Sequence, residues 1–305
     1  MQKNKEFLSK IKKIIPCERL LLDEPLANHT TFRIGGPADY FVLPSSIAEI
    51  TELLKLAKEY KIAVTVLGNG SNVLVLDSGI RGLVLKFGSE MGYIRHEGHH
   101  VFAGAGALLR DVSRYAAELG LSGMEFAVGI PGSIGGSVFM NAGAYEGEMS
   151  HIVVSVTAVC EDGTIQRFDK EQLQFSYRHS IFHENHCTIC EVELAFQNGE
   201  HTLIRSKMGD FTNKRETKQP LEVPSAGSTF KRPPGHFAGT LIEQTGLKGL
   251  TIGGAQVSPK HAGFIINAGG ATAQDVLNLI KEVQRRVHDK HGIMLYPEVR
   301  TLGEP

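Results

Sequence analysis

The chain has 305 residues, of which 42% are hydrophobic, so it can bury a substantial core and is long enough for two or three domains. Its 32 Lys and Arg residues nearly balance its 33 Asp and Glu residues. No overall charge therefore attracts nucleic acid or a membrane surface, and any anionic ligand must be held locally. The 34 Gly residues are spread along the chain and indicate many tight turns and surfaces lined by main chain.

The first sixteen residues mix lysines with apolar residues. Phe7, Ile11 and Ile15 fall on one stripe at helical spacing, which predicts an amphipathic docking helix over 1–16 and not the unbroken apolar core of a signal peptide. No later stretch is long and apolar enough to span a bilayer. We therefore expect a cytoplasmic protein whose partners include neither nucleic acid nor a membrane.

Helical and strand patterns follow one another up to residue 196. They predict helices over 46–60 and 108–119 and strands over 63–67, 73–76, 82–87, 153–160, 164–168 and 188–196. Glu161-Asp-Gly163 predicts a hairpin turn. Gly104 and Gly106 follow a strand, but Leu109 stands where a dinucleotide fingerprint has its third glycine, so we exclude a doubly wound fold.

The cysteines are too few for a disulfide scaffold in so long a chain, and in a cytoplasmic protein we expect them to stay reduced. They are Cys17, Cys160, Cys187 and Cys190. Two histidines and a Cys-x-x-Cys pair could supply four zinc ligands: His183, His186, Cys187 and Cys190. The alternation of Cys190 with Val192 and Leu194 instead indicates the inward face of a strand, and no metal site is predicted.

The stretch 126–145 carries no charged side chain, yet its five Gly residues and one Pro exclude a continuous helix. Without Cβ atoms, successive N–H groups can face an anion such as a nucleotide diphosphate. A buried glycine-rich strand and turn is the alternative. A membrane span is excluded, because Gly, Pro and polar side chains would leave main-chain groups unpaired in lipid.

The last part of the chain is predicted to form a unit of its own. The charged stretch 207–219 predicts a helix or linker that closes the first part. A helix is predicted over 271–288, opened by Thr272 or by Gln274-Asp275 and followed by Gly292. Strands are predicted over 252–255, 262–267 and 294–301, which gives a small α+β unit.

Three segments carry a family resemblance: Gly68-Asn-Gly-Ser-Asn72, Gly129 to Gly136 running on to Asn141-Ala-Gly-Ala-Tyr145, and Ser176 to Phe182. Further matching segments follow in the expected order, at 224–233, 241–249, 252–258, 260–264 and 296–299. Together they span nearly the whole chain. The chain resembles the UDP-N-acetylenolpyruvoylglucosamine reductase family, flavoenzymes that make UDP-N-acetylmuramate for bacterial peptidoglycan.

The resemblance implies an α+β fold. An FAD-binding half of two α+β subdomains, similar to the vanillyl-alcohol-oxidase group, would cover residues 1–213, divided into about 1–86 and 87–213. A C-terminal α+β substrate domain would cover 214–305. The short interval between Arg178 and Ser228 is similar to the subtype that lacks an inserted tyrosine-bearing loop.

The resemblance also implies the cofactors FAD and NADPH and a UDP-sugar substrate. The two glycine-rich segments would hold FAD, with the N–H dipoles of their main chain taking the place of lysines. The residues expected there are Gly68, Asn69, Gly70, Ser71, Asn72, Pro131, Gly132, Ser133, Gly135, Gly136, Asn141 and Gly143. The residues expected to bind the substrate are Tyr145, Lys231, Gln256, Lys260 and His261.

Reducing an enolpyruvyl ether places negative charge beside the substrate carboxylate, and this charge must be stabilised and then protonated. By matching motifs, Arg178 and Glu298 would stabilise the carboxylate, and Ser228 would donate the proton. A planar guanidinium suits the first task because it stays charged, and one preorganised donor contributes about 3 kcal/mol. Without the motifs, these residues would be interpreted as two surface charges and a turn serine.

Two other functions are consistent with part of this pattern. One is another FAD-dependent oxidoreductase on the same scaffold, of the alcohol or sugar oxidase type. Such oxidases often tether flavin through His or Cys, and the two glycine-rich segments contain neither. The other is a flavin- or nucleotide-binding module without activity, against which the joint presence of Arg178, Ser228 and Glu298 argues.

Overall fold

The computed structural model describes residues 2–304, with the side chains of residues 5–304. The helices are α1 (Gln2–Ile14), α2 (Ile47–Tyr60), α3 (Leu109–Glu118), α4 (Ile134–Phe139), α5 (Met149–Ile152), α6 (Phe182–Asn185), α7 (His201–Lys218), α8 (Ala238–Gln244) and α9 (Ala273–His291). The strands are β1 (Leu20–Pro25), β2 (Pro37–Val42), β3 (Val64–Leu67), β4 (Val73–Val75), β5 (Ile80–Lys86), β6 (Ile94–Glu97), β7 (His100–Gly104), β8 (Leu121–Ser122), β9 (Gly143–Ala144), β10 (Gly147–Glu148), β11 (Val153–Val159), β12 (Ile165–Asp169), β13 (Thr188–Ala195), β14 (Gln197–Asn198), β15 (Ser225–Ser228), β16 (Thr251–Ile252), β17 (Ala255–Val257), β18 (Phe264–Asn267) and β19 (Arg300–Leu302).

Three larger sheets organise the described residues. A five-stranded sheet has the order β12-β11-β13-β7-β6, with every neighbouring pair antiparallel. A four-stranded sheet has the order β1-β2-β5-β3, in which β3 and β5 run parallel. A second four-stranded sheet, β15-β18-β17-β16, is antiparallel. Short two-stranded pairs complete the pattern, among them the parallel pair of β4 with β19.

The chain divides into two compact units. The first consists of the described residues up to Leu22 with Tyr40–Asn69 and Gly82–Asn213, and the second consists of Asp23–Asp39, Gly70–Arg81 and the described residues from Lys214 onward. The second unit thus contains two segments from the first part of the sequence, one of which carries β4, the partner of β19. The predicted bounds 1–213 and 214–305 keep those segments with the first part, and they stay a prediction.

Helix α1 confirms the predicted amphipathic helix, apart from Met1, which lies outside the described residues. Its apolar stripe docks on its own chain: Phe7 and Ile11 are buried, and the Phe7 ring lies 5.2 Å from that of Tyr40, edge to face. Helix α2 begins where predicted, after Ser46, whose side chain accepts a hydrogen bond from Glu49 N at 3.2 Å. Both helices contribute to the core of the first unit.

Of the two openings predicted for this helix, α9 uses Thr272, and it stops at Gly292 as predicted. Thr272 and Asp275 form a reciprocal capping box, and Gly292 ends the helix at φ +69°. The Asp77 carboxylate accepts a further hydrogen bond from Ala273 N at 2.8 Å. The apolar face of α9 is buried in the core of the second unit.

Two strand predictions in the second unit are wrong. The segment 252–255 is the turn of a hairpin between β16 and β17, because Gly253 adopts φ +54° and reverses the chain. Of the segment 294–301, only the end forms a strand, β19. Pro297, which has no N–H to donate, interrupts the rest.

The expectation that all cysteines stay reduced is wrong for Cys160 and Cys187, which form a disulfide. Strands β11 and β13 pair antiparallel with Val159 opposite Thr188, so the next residue outward on each strand is a cysteine. The two thiols are brought together by the sheet register, which their separation of 27 residues did not reveal. Cys190 is a fully buried free thiol in β13, as predicted.

Candidate functional site

The two predicted cofactor segments meet within the first unit. Asn69 Nδ2 donates a hydrogen bond of 2.6 Å to the Pro131 carbonyl, across 62 positions of sequence. Next to it, Gly68 approaches Ser133 so closely that a Cβ at Gly68 would collide with the serine hydroxyl. A side chain at Gly68 would therefore displace the hydroxyl of Ser133.

Helix α4 begins inside the second segment, and its start is built for close packing. Ser133 caps it by accepting a hydrogen bond from Gly136 N at 3.4 Å. A Cβ at Gly135 would lie 2.9 Å from that of Ala105, so this glycine lets α4 pack against the chain after β7. On the exposed side, a Cβ at Gly136 would meet only the Ser133 hydroxyl within 4 Å.

One polar group in α4 has no partner. Ser137 is buried, and its hydroxyl makes no hydrogen bond to the part of the chain that the structure describes. A buried hydroxyl without a partner is unfavourable, so it is available to a bound group. The bare main chain of Gly68 and Gly136, together with this hydroxyl, fits a dinucleotide such as FAD.

The first glycine-rich segment is divided after Asn69, since Gly70–Asn72 belongs to the second unit. Gly70 adopts φ +66°, and a Cβ there would collide with the His29 carbonyl. Asn72 Nδ2 donates to the Glu298 carbonyl at 3.3 Å, and Arg300 N donates to the Asn72 carbonyl at 3.0 Å. Predicted cofactor residue Asn72 thus fixes the chain at predicted catalytic residue Glu298.

Asn141 is fully buried, and its amide is used within the protein. Its Nδ2 donates to Glu148 Oε1 and to the Ser176 carbonyl, both at 3.0 Å, and its Oδ1 accepts from Ser150 N at 2.9 Å. Its main-chain N–H donates to the Val138 carbonyl at 3.1 Å, so this N–H is not left for the predicted contact with FAD either. The side chain instead anchors the segment that carries Arg178.

Arg178 stands at the tip of a tight turn in which Ser176 and His179 exchange main-chain hydrogen bonds of 3.1 Å. It adopts φ +57°, a conformation that is unfavourable for an arginine and persists only where the surroundings enforce it. Its guanidinium donates to the Gly143 carbonyl at 3.4 Å. Arg178 and Gly143, both predicted site residues, are therefore brought together.

Glu148 provides a negative charge near this turn. Burial alone would raise the pKa of Glu148, but hydrogen bonds from Ser150 and Asn141 and the positive charges of His151 and Arg178 more than offset it. The pKa of Glu148 therefore lies below its ordinary value, and the group is an anion at neutral pH.

Ser228 and Glu298 lie on neighbouring segments of the second unit. Ser228 is exposed at the end of β15, opposite Phe264. Glu298 N donates to the carbonyl of Thr229, the residue after Ser228, at 2.8 Å. The fold thus brings together two of the three predicted catalytic residues, and the third, Arg178, belongs to the first unit.

Four of the five predicted substrate residues belong to the second unit, and Tyr145 belongs to the first. Tyr145 stacks on Phe211 with ring centroids 4.3 Å apart. Lys231 is exposed, next to the strand-like bridge of Phe230 with Pro297.

The other three substrate candidates make hydrogen bonds within the second unit. Lys260 Nζ donates to the Glu216 carbonyl at 2.9 Å, and Gln256 Nε2 donates to Thr251 Oγ1 at 3.0 Å. Burial lowers the pKa of His261, so its ring is neutral at pH 7, and its Nδ1 accepts from Gly263 N at 3.1 Å.

Lys86 lies at the glycine-rich segments and was not predicted from the sequence. Its ammonium donates to the Gly68 carbonyl, and burial lowers the pKa of Lys86 to about 8. The one available signal was a lysine that follows an uninterrupted apolar run in a strand. Nothing local distinguishes it from a lysine at an ordinary strand end.

Within residues 2–304, no cluster of three or more His, Cys, Asp or Glu side chains is arranged to hold a metal ion. No helix of that range has the length and apolar character needed to cross a membrane.

Comparisons with known families match both parts of the chain. Residues 38–169 match the FAD binding domain, and residues 219–302 match the C-terminal domain of UDP-N-acetylenolpyruvoylglucosamine reductase. The UDP-N-acetylenolpyruvoylglucosamine reductase of Clostridium perfringens (strain SM101 / Type A) is 49% identical over 303 residues, which cover 99% of each chain.

Solved structures give the same result. The crystal structure of UDP-N-acetylenolpyruvylglucosamine reductase from Thermus caldophilus has a TM-score of 0.78 at 35% identity and covers 93% of this chain and 98% of its own. The 4-ethylphenol oxidase from Gulosibacter chungangensis is similar in fold alone, with a TM-score of 0.50 at 16% identity over 64% of this chain and 43% of its own.

These findings confirm the predicted fold class, an α+β FAD-binding half with a C-terminal α+β domain. They also confirm the predicted class of enzyme, an FAD-dependent oxidoreductase. The chain belongs to the UDP-N-acetylenolpyruvoylglucosamine reductase family.

Proposed function

We propose that the protein uses NADPH to reduce UDP-N-acetylglucosamine enolpyruvate to UDP-N-acetylmuramate, a precursor of peptidoglycan. The observation that carries the proposal is the match to the UDP-N-acetylenolpyruvoylglucosamine reductase of Clostridium perfringens, at 49% identity over 303 residues. The likeness to an oxidase is one of fold alone and does not favour the alternative alcohol or sugar oxidase. The substrates are sugar nucleotides and NADPH, so we place the reaction in the cytoplasm.

FAD, when bound, supplies the redox chemistry that connects NADPH with the enolpyruvyl double bond. The residues that would hold it are the glycine-rich segments Gly68–Asn72 and Pro131–Gly136, with Gly143 and the chain around Asn141. The close approach of Gly68 to Ser133 and the free hydroxyl of Ser137 support this assignment.

Three side chains would act on the substrate. Arg178 would hold the carboxylate with its fixed positive charge, and Glu298 would stabilise the same group. Ser228 would donate a proton to the carbon beside it, a step that the strong basicity of an enolate makes feasible for a hydroxyl.

The remaining predicted residues would bind the UDP moiety. Lys231 and Lys260 carry positive charge and are exposed in the second unit, which supports a role at the diphosphate. Tyr145, Gln256 and His261 would line the pocket.

The test is to purify the protein, record its flavin spectrum, and follow NADPH oxidation with and without the enolpyruvyl UDP-sugar. We expect oxidation to depend on the sugar. Ser228→Ala should leave oxidation of NADPH by the flavin unchanged and slow product formation by about 10²- to 10⁴-fold. Ser225→Ala, on the same strand, is the matched control and should keep full activity. Equal loss in both half-reactions of Ser228→Ala would refute the proton-donor role.

A further inference from the structure

Lys86 stands at a meeting point of two strands. Strands β3 and β5 run parallel, and Lys86, the last residue of β5, is paired with Leu67, the last residue of β3. The chain continues from Leu67 directly into Gly68. The carboxyl ends of both strands, and with them Lys86, therefore lie at the start of the first glycine-rich segment.

The ammonium of Lys86 has more N–H donors than the one hydrogen bond to Gly68 uses. It donates to the Gly68 carbonyl, whereas an ammonium offers three N–H donors. No carboxylate of the described residues lies within ion-pair distance of it. Its neighbours in the two strands, Leu67 and Leu85, are buried and apolar.

A cation in such surroundings is unfavourable until an anion neutralises it. Burial lowers the pKa of Lys86 to about 8, so the group is still mostly charged at pH 7. The residue that accepts its hydrogen bond, Gly68, is also the residue that packs against Ser133 at the cap of α4. The cation thus lies at the same glycine whose bare main chain fits a dinucleotide.

We propose that Lys86 is the counter-ion of the diphosphate of bound FAD. The inference rests on the proposed function only in taking FAD as the cofactor. A diphosphate is the most concentrated negative charge that FAD carries, and glycine-rich main chain is a surface that phosphates favour. Lys86 supplies the full positive charge that N–H dipoles alone lack, so the diphosphate is held by a charge as well as by main chain.

The experiment measures ligand affinity, not turnover. FAD and riboflavin, which has no phosphate, are titrated into FAD-free protein for the wild type, Lys86→Met and Lys86→Arg. Lys281→Met, on the exposed face of α9, is the matched control. Far-UV circular dichroism verifies that each variant is folded. We expect Lys86→Met to fold because it removes a charge from apolar surroundings.

We expect Lys86→Met to weaken FAD binding by about tenfold or more while riboflavin affinity stays within about twofold of wild type. Lys86→Arg should retain most of the affinity for FAD, and Lys281→Met should retain all of it. The salt dependence of FAD binding should also become shallower in Lys86→Met, because one phosphate contact is lost. If riboflavin binds too weakly to titrate, the salt dependence of FAD binding alone decides whether Lys86 contacts a phosphate.

Three results would overturn the inference. Equal weakening of FAD and riboflavin, or an unchanged salt dependence, would show that Lys86 only supports the strand ends. Unchanged FAD affinity in Lys86→Met would show that no phosphate contacts it. Failure of the wild type to bind FAD would instead refute the proposed cofactor, so the two failures are distinguishable.

Discussion

The glycine-rich segments (68–72 and 131–143) and the exposed candidates Ser228, Lys231 and Lys260 are built in opposite ways. In the glycine-rich segments, neighbouring atoms approach the main chain so closely that several added Cβ atoms would collide with them. In the second set, the predicted chemistry lies on exposed side chains. A site made of packed main chain depends on the fold around it, so its substitutions damage stability as well as binding. A site made of exposed side chains can lose function while the fold is unchanged.

The largest effect should come from Gly70→Ala. The residue adopts φ +66°, and the new methyl group would collide with the His29 carbonyl, so we expect a loss of about 4 kcal/mol in the free energy of unfolding. Urea unfolding measures it. The control is Gly246→Ala, at φ +79° with nothing within 4 Å of its Cβ position, which should lose only about 1 kcal/mol. Equal losses would mean that the backbone angle, and not close packing, sets the requirement for glycine.

The pH dependence of stability tests the comparison at Lys86, the cation that contacts the first glycine-rich segment. Its pKa is about 8 in the folded protein against 10.5 ordinarily, so between these values the unfolded chain binds more protons. The contribution of Lys86 to the free energy of unfolding therefore rises with pH in this window, by up to about 3 kcal/mol.

The measurement compares FAD-free wild type with Lys86→Met in urea at several pH values. Below pH 8 the variant should be the more stable protein, and its advantage should vanish as the pH approaches 10.5. Taking the difference between the two proteins cancels other groups, such as Cys190, whose pKa burial raises to about 12. A difference that is constant with pH would contradict the prediction.

Asn141→Ala should have an intermediate effect, with a loss of about 2 kcal/mol in stability, because it removes three hydrogen bonds: those that Asn141 donates to Glu148 and to the Ser176 carbonyl, and the one it accepts from Ser150 N. If the amide also positions Arg178, kcat should fall more than the loss of folded protein explains. Asn141→Gly is the control for the backbone, because it keeps the positive φ of +42° and removes only the side chain. An Asn141→Gly variant with wild-type stability and kcat would show that the amide is dispensable.

The smallest effect on stability should come from Lys231→Ala. The side chain is exposed, so the free energy of unfolding should change by less than about 0.5 kcal/mol. KM for the UDP-sugar should rise if the lysine contacts the diphosphate. A stability loss as large as that of Asn141→Ala would remove the contrast between the two kinds of site.

Local patterns in the sequence predicted the longer helices α1, α2, α3 and α9 and most of the proposed strands correctly, but not the short helices α4, α5, α6 and α8. Ser46 and Thr272 begin helices as their cap chemistry requires, and Gly292 ends one. These predictions succeed because periodicity and capping act over a few residues. The predicted strand over 252–255 is wrong because another local feature, the turn at Gly253, reverses the chain inside an apolar run.

Family motifs in the sequence also identified the glycine-rich segments and the candidate catalytic residues. Their roles stay predictions, but the fold brings Ser228 next to the segment of Glu298 and joins Asn69 to Pro131. No motif indicated that the Asn141 side-chain amide donates hydrogen bonds to Glu148 and to the Ser176 carbonyl. Nor did any motif indicate that Gly70–Asn72 belongs to the second unit.

The sequence by itself therefore determined the longer helices, the family and the residues that carry its motifs. Only the tertiary structure decided which distant groups meet: Cys160 with Cys187 across β11 and β13, β4 with β19, and the ammonium of Lys86 with Gly68. A pattern of side chains records how each segment buries its own apolar face. Partners far apart in sequence are selected by sheet register and packing of the whole chain, which leave no local trace.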